Sequence, residues 1–196
     1  MKLVKFSILV FLFSIILVAC GDDSSTDPGD EVETPNGKVT IITTVNGDEQ
    51  DRRIIERKGG EITPNEYSIS GTYSNTVGQI DISIFEESIT EYNYKVNLSA
   101  KMNELRTGTY IYTANDEKLN WGSYSNITFG TEQYEATNVT LVITKVEYIS
   151  ITELVGSYYI TGTLTMDMEN QVNENPNVEV NVLFENMAIT KLITGF

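Results

Sequence analysis

The strongest constraint on this chain is a hydrophobic period of two that runs through most of it from Lys38 onward. In GQIDISIFEE, Ile80, Ile82 and Ile84 fall on one face and Asp81 and Ser83 on the other. YKVNLSA sets Tyr94, Val96, Leu98 and Ala100 against Lys95, Asn97 and Ser99. NVEVNVLFEN sets Val178, Val180, Val182 and Phe184 against Glu179, Asn181 and Glu185. Successive side chains of a strand point to opposite faces, so the pattern predicts half-buried antiparallel strands.

Further strands are expected at KVTIITTV (38–45), RRIIERK (52–58), EYSISGTY (66–73), TGTYIYTA (107–114), YSNITFG (124–130), NVTLVITKVEYI (138–149) and VGSYYITGTLTMDM (155–168). All are rich in Val, Ile, Thr and Tyr, and turn formers such as Asn46-Gly47, Gly59-Gly60 and the polar ENQVNENPN separate them. No window of a dozen residues carries a helical stripe. About ten strands are more than one open sheet usually holds, so an all-β domain of two packed sheets or a closed barrel is expected. An antiparallel two-sheet β-sandwich is the leading expectation and a calycin-like barrel the alternative, since periodicity does not separate them.

Three strands share a local pattern: Ser70-Gly71-Thr72-Tyr73, Thr107-Gly108-Thr109-Tyr110 and Thr161-Gly162-Thr163-Leu164. A glycine at a bulge or a crowded packing point is the simpler reading, and a duplicated structural unit the sharper one.

Residues 1–19 read as a signal peptide. Lys2 and Lys5 form a basic start, and the uncharged run from Phe6 to Ala19 would rise about 21 Å as a helix, short of the ~30 Å hydrocarbon core. Leu17-Val18-Ala19-Cys20 resembles the lipobox of bacterial lipoproteins. That resemblance implies recognition of Leu17, Val18 and Ala19 by the lipoprotein signal peptidase, cleavage before Cys20, and lipidation of Cys20. Each buried methylene contributes about 0.8 kcal/mol, so two or three acyl chains hold a protein stably to a membrane.

Residues 20–37 then form the lipidated cysteine and an acidic flexible tether: after Cys20 come six acids, no base, two prolines and three glycines. Asp22 and Asp23 resemble the acidic export signal of surface lipoproteins in Bacteroidetes-type bacteria. The expected location is the outer membrane, lipid-anchored, at the cell surface or on the periplasmic face. The single domain is expected over residues 38–196.

The segment TNVTLVITKVEYI, then YYITGTLTMDM, a polar loop, and VEVNVLFENMAIT also resembles the C-terminal half of uncharacterised lipoproteins of the flavobacterial type. Asn186-Met187 stands where that group often has glycine. The resemblance implies an all-β fold and a lipoprotein habitat, and it transfers no site residue.

Charge and composition exclude several function classes. The net charge is −15, and loss of residues 1–19 would leave 11 basic against 28 acidic residues. The one basic cluster, Arg52, Arg53, Arg57 and Lys58, is diluted by neighbouring acids, so no nucleic-acid partner is expected. The chain has no histidine, which removes Ser-His-Asp, Cys-His and His-based zinc chemistry. Cys20 is the only cysteine, so intramolecular disulfides and Cys-rich metal sites are excluded.

Paired carboxylates remain as possible machinery for glycoside hydrolysis. Glu86-Glu87 would point to opposite faces of a strand, whereas Asp167 and Glu169 share one, at the edge of an acidic hairpin tip where solvated charge is expected. The oxygen-rich loops NGDEQD (46–51) and DMENQVNENPN (167–177) lack the order of a calcium loop, and turn chemistry accounts for them. No metal site, cofactor or catalytic residue is therefore assigned.

Eleven tyrosines include Tyr92 and Tyr94 on one strand face and Tyr110 and Tyr112 on another, and the lone Trp121 lies in LNWGS, read as a loop. Trp121, Tyr110 and Tyr112 are the candidate ligand-binding residues, as stacking platforms for a glycan or peptide, against the alternative of ordinary strand pairing. The Asn-x-Ser/Thr triplets at Asn97, Asn126 and Asn138 carry little meaning in a bacterial lipoprotein. The expected function is a non-catalytic, lipid-anchored binding or structural module of the envelope. A barrel carrying a small apolar or glycan ligand is the second reading, and a carboxylate-only hydrolase the third.

Overall fold

The computed structural model describes residues 34–58, 61–86, 94–126, 133–150, 156–170 and 176–192. The leader, Cys20, most of the tether, Tyr92, Glu87, Gly59-Gly60 and the middle of the 167–177 loop lie outside them. All regular structure described is strand: β1 (Gly37–Val45), β2 (Asp48–Lys58), β3 (Glu61–Thr63), β4 (Tyr67–Ser74), β5 (Gln79–Glu86), β6 (Tyr94–Lys101), β7 (Gly108–Thr113), β8 (Leu119–Asn126), β9 (Gln133–Ser150), β10 (Gly156–Asn170) and β11 (Val178–Lys191). Each expected segment overlaps one of these, and the short β3 is the addition. Asn46 and Gly47 both have positive φ (54° and 87°), the mirror-image turn whose twist suits a two-residue hairpin between β1 and β2.

The strands form one sheet that closes on itself. Its order is β10-β9-β8-β6-β5-β4-β11, and β11 returns to pair with β10, a ring of seven strands. The all-β expectation holds, but the leading sandwich is corrected: the ring fits the barrel alternative more closely. The physical reason is strand length. β9, β10 and β11 run for 18, 15 and 14 residues, long enough to have different neighbours at their two ends.

Both flanking strands of that trio fork along their outer edges. β9 pairs with β7 over Asn138–Ile143 and with β8 over Gln133–Glu135. β11 pairs with β1 over Val178–Glu185, and then, in parallel, with β4 through Thr190 and Lys191 against Thr72 and Tyr73. Leu192 N donates to Tyr73 O at 2.8 Å to finish this seam. The β1–β2 hairpin and β3 thus branch from the ring beside the opening of the second fork.

Inward side chains fill the ring, as a barrel of this size requires. Ile80, Ile82, Ile84, Val96, Leu98, Val139, Leu141, Leu164, Met166, Val180, Val182 and Phe184 are all buried. β1 adds Val39 and Ile41, and β2 adds Ile55. An apolar hollow beside Ile55, Ile62, Ile69 and Met187 has a volume of about 40 Å³, room for one or two water molecules. The pattern read for β6 needs one correction: Asn97 and Ser99, expected on a solvent face, are buried. They are served by neighbours, with Ser83 Oγ donating to Asn97 Oδ1 (2.6 Å), and Asn97 Nδ2 and Asn120 Nδ2 donating to Ser123 Oγ and Ser99 Oγ.

Two of the three patterned glycines sit where a side chain would collide. A Cβ on Gly71 would lie 2.3 Å from Ile189 Cδ1, at the seam of β4 and β11. On Gly162 it would lie 1.9 Å from Val142 O, where β9 and β11 each bulge against β10. These positions fit the simpler reading of close packing and bulges. Asn186 has φ of 48° within β11, a conformation that glycine and asparagine tolerate best. It also helps to fix the chain's entry, since Asn186 Nδ2 donates to Asn36 O (3.1 Å) and Arg57 Nη2 donates to Pro35 O (3.1 Å).

The contact at Gly162 is with rigid backbone, so Gly162→Ala should cost about 3 kcal/mol or more. Urea denaturation followed by circular dichroism checks this, with Thr163→Ala at the exposed neighbouring position as the comparison.

Candidate functional site

Polar chemistry concentrates in three places, one at each end of the ring and one on its outer wall. At the first end, alternation along β2 turns Asp51, Arg53 and Ile55 to the same side, and Arg53 reaches the ring. Its Nε donates to Asp51 Oδ2 (2.8 Å), and its Nη1 donates to Glu86 Oε2 (2.9 Å) and to the Tyr67 hydroxyl. The guanidinium lies 4.1 Å from the centroid of the Tyr94 ring, a cation–π contact. Burial opposes this charge, but the bonds to Asp51 and Tyr67 outweigh it and raise the Arg53 pKa above its usual value.

Tyrosines continue inward from that arginine. Tyr67 meets Tyr94 edge-on at 6.4 Å, Tyr94 meets Tyr124 at 5.6 Å, and Tyr124 meets Tyr134 at 6.0 Å. Tyr124 Oη is 3.1 Å from Thr43 Oγ1 and accepts from Asn126 Nδ2 at 3.0 Å. Asn126 Nδ2 is also 3.3 Å from Asp51 Oδ2, which ties β8 to β2. Burial pushes the phenols of Tyr94 and Tyr124 upward, Tyr94 well above its usual value. Tyr94 Oη is buried with no hydrogen-bond partner among the described residues. The guanidinium is taken up by partners on β2, β4 and β5, so this end reads as a latch holding the β1–β2 hairpin over the fork.

The opposite end is built around the segment joining β6 to β7. Its own Met102 and Leu105 are buried. Three tyrosine hydroxyls hold its backbone: Tyr73 donates to Asn103 O (2.9 Å), Tyr110 to Arg106 O (3.0 Å) and Tyr112 to Lys101 O (3.2 Å). Burial pushes the Tyr112 phenol up to about 12. Tyr112 is therefore core, and Tyr110 is half-buried. The burial of Tyr112 takes its ring out of a surface platform, while Tyr110 keeps a half-exposed ring beside the open groove. An open groove of about 1080 Å³ runs past this segment, lined by Lys101, Arg106, Tyr110, Ile111, Thr113 and Lys118 among others.

Trp121 is the sequence candidate whose ring meets solvent. It lies within β8, not in a loop, and is 51% exposed. The Asn, Gly and Ser around it suggested a turn, but the segment pairs with β6 across a register shift, with Trp121 opposite Ser99. Trp121 lines a hollow of about 270 Å³ with Asn120, Ser123 and Glu135. Asn120 Nδ2 is oriented by Gln79 Oε1 (3.2 Å) and Ser99 Oγ (3.3 Å). The three candidates are thus not brought together: Trp121 stands apart from Tyr110 and Tyr112.

The carboxylate candidates separate as well. Asp167 and Glu169 are both exposed on β10, and Asp167 Oδ2 accepts from Asn138 Nδ2 at 3.2 Å. They share a face as expected, with Met168 buried between them, since the extra residue of the bulge here, Thr137, is on β9. Glu86 is paired with Arg53. In NGDEQD, Asp51 is likewise held by Arg53, and Glu49 by Arg52. Among the described residues no group of three acidic, His or Cys side chains is placed to hold a metal.

Comparison of the chain with protein-family models, with curated proteins and with solved structures gives no match. The site is therefore argued from its own geometry.

Arg53→Met would leave Asp51 and Glu86 without their cation and strip the Tyr94 ring, a loss of about 3 kcal/mol. Arg53→Lys should recover less than half of it, since one ammonium does not reproduce the fork of bonds. Chemical denaturation midpoints of both variants check the latch.

Proposed function

We propose that this chain is a lipid-anchored lipoprotein of the bacterial envelope whose β domain is a non-catalytic binding module, with Trp121 as the platform for a glycan. The observation that carries the binding reading is the half-exposed indole in a hollow lined by an amide, a hydroxyl and a carboxylate. An indole face stacks on the C–H face of a sugar ring, and polar groups placed around it select among hydroxyl patterns. Asn120 is held by two neighbours before any ligand arrives, which lowers the ordering entropy that binding must offset.

The calycin-like alternative, a ligand carried inside the ring, has less support, because buried side chains occupy that space. A carboxylate-only hydrolase has none from the pair at Asp167 and Glu169, where both groups are exposed. The anchoring half of the proposal rests on Leu17-Val18-Ala19-Cys20 behind a basic, apolar leader.

Because the chain holds a single tryptophan among eleven tyrosines, its tryptophan emission, excited beyond the tyrosine absorption band, reports on this hollow. Titration of the full chain in detergent with an oligosaccharide panel should give a saturable change for a subset of sugars. Trp121→Ala should lower their affinity at least tenfold by calorimetry without moving the thermal midpoint by more than a few degrees. A flat response across the panel would remove the glycan reading. Independently, mass spectrometry of the mature N-terminus should find an acylated Cys20 and no residues 1–19.

A further inference from the structure

β7 is an open edge strand that carries no charge. Along the open edge of β2, by contrast, residues Asp48 to Arg53 read DEQDRR, the charged pattern by which native proteins discourage edge pairing. β7 reads GTYIYT, with Ile111 67% exposed and Thr109 and Thr113 exposed on the same face. One edge of β7 is paired with β9, and among the described residues no strand pairs with the other.

The direction of its backbone groups follows from two bonds. Ala114 N donates to Thr137 O (2.9 Å) on β9, so the N–H and C=O of Tyr112 and Tyr110 also face β9. Those of Thr109, Ile111 and Thr113 face away, and Thr113 O does so visibly, since it accepts from Asp116 N at 2.8 Å. The open edge borders the 1080 Å³ groove, which gives a second strand room to approach.

We propose that two copies of this chain pair through β7, antiparallel about a two-fold axis at Ile111. In that register each Ile111 exchanges N–H···O bonds with its counterpart, and each Thr113 N–H meets the Thr109 carbonyl of the other copy. Thr109 then lies across from Thr113, and Ile111 across from Ile111, the β-branched and hydroxyl pairs that stabilise antiparallel ladders. The charges beyond the strand ends favour a second copy over other strands. Arg106, whose exposed intrachain pair with Glu104 is loose at 3.4 Å, precedes β7, and Asp116 and Glu117, then Lys118, follow it, so antiparallel pairing brings each Arg106 toward the two acids of the other copy. The same patch meeting itself is the usual form of a closed dimer.

The test uses the full chain in excess detergent micelles, so that anchors do not share a micelle by chance. Sedimentation equilibrium should show a monomer–dimer equilibrium, with the dissociation constant raised about tenfold or more by Ile111→Lys, which places like charges on the axis. Arg106→Glu should weaken the dimer, and adding Glu117→Arg to the same chain should restore it, a rescue that damage to folding would not give. In a Cys20→Ser background, Ile111→Cys should form an intermolecular disulfide under mild oxidation, while Thr144→Cys on β9 should not. A chain that stays monomeric at 100 µM with no Ile111→Cys cross-link would overturn the proposal. So would a dimer indifferent to Ile111→Lys, and so would an Ile111→Cys chain that stays monomeric alone but is captured by added extended peptides.

Discussion

Unpaired backbone on a strand edge has to find a partner, and the ladder between β10 and β11 is what lets this chain solve that problem for most of its strands. β10 is flanked by β9 on one side and β11 on the other along most of its length, so the three long strands form a rigid sheet. The rest of the ring hangs from the outer edges of β9 and β11. Two narrow seams complete it, three residues between β8 and β9 and two between β4 and β11. Such short ladders hold because the core behind them is continuous: Ile80, Leu98 and Tyr124 of the short strands bury against the same interior as Leu141, Met166 and Val182 of the long ones.

The latch at Arg53 follows from this arrangement. Where β11 leaves β1 for β4, the wall of the ring is thin, and the β1–β2 hairpin has to cover it. Thr43, Asp51 and Arg53 bridge from the hairpin to Tyr124, Asn126, Tyr67 and Glu86. The fold thus spends its most elaborate polar network on architecture, and the hollow proposed to take a ligand lies on the simpler outer wall near Trp121.

Strand content was legible residue by residue, because alternation is local: Ile80, Ile82, Ile84 and Val178, Val180, Val182 face inward as read. Closure was not, since whether β11 meets β4 depends on pairings between residues as far apart in the chain as Thr72 and Thr190. The Arg53 latch could have been suspected from the alternation of Asp51, Arg53 and Ile55, but the neighbouring Arg52, Glu56, Arg57 and Lys58 made the segment look like a solvated charge cluster. Trp121 was found by residue type and misplaced in local structure, since Asn120, Gly122 and Ser123 resemble a turn until β6 pairs with them. Tyr110 and Tyr112 were chosen for their rings, whereas their hydroxyls do the work, and nothing in the sequence names the carbonyls they reach.

The entry of the chain at Asn36 has a mechanical consequence. The backbone joins the domain beside Asn186, part-way along β11, held by Asn186 on Asn36 and Arg57 on Pro35. A pull applied to the residues before Thr34 is therefore delivered part-way along β11, where β1 begins, and not to an end of that strand. It first loads two hydrogen bonds and then has to strip β1 from between β2 and β11, one rung at a time. Force would unfasten the domain as a zipper, hairpin first, while the β9–β10–β11 sheet behind it stayed whole.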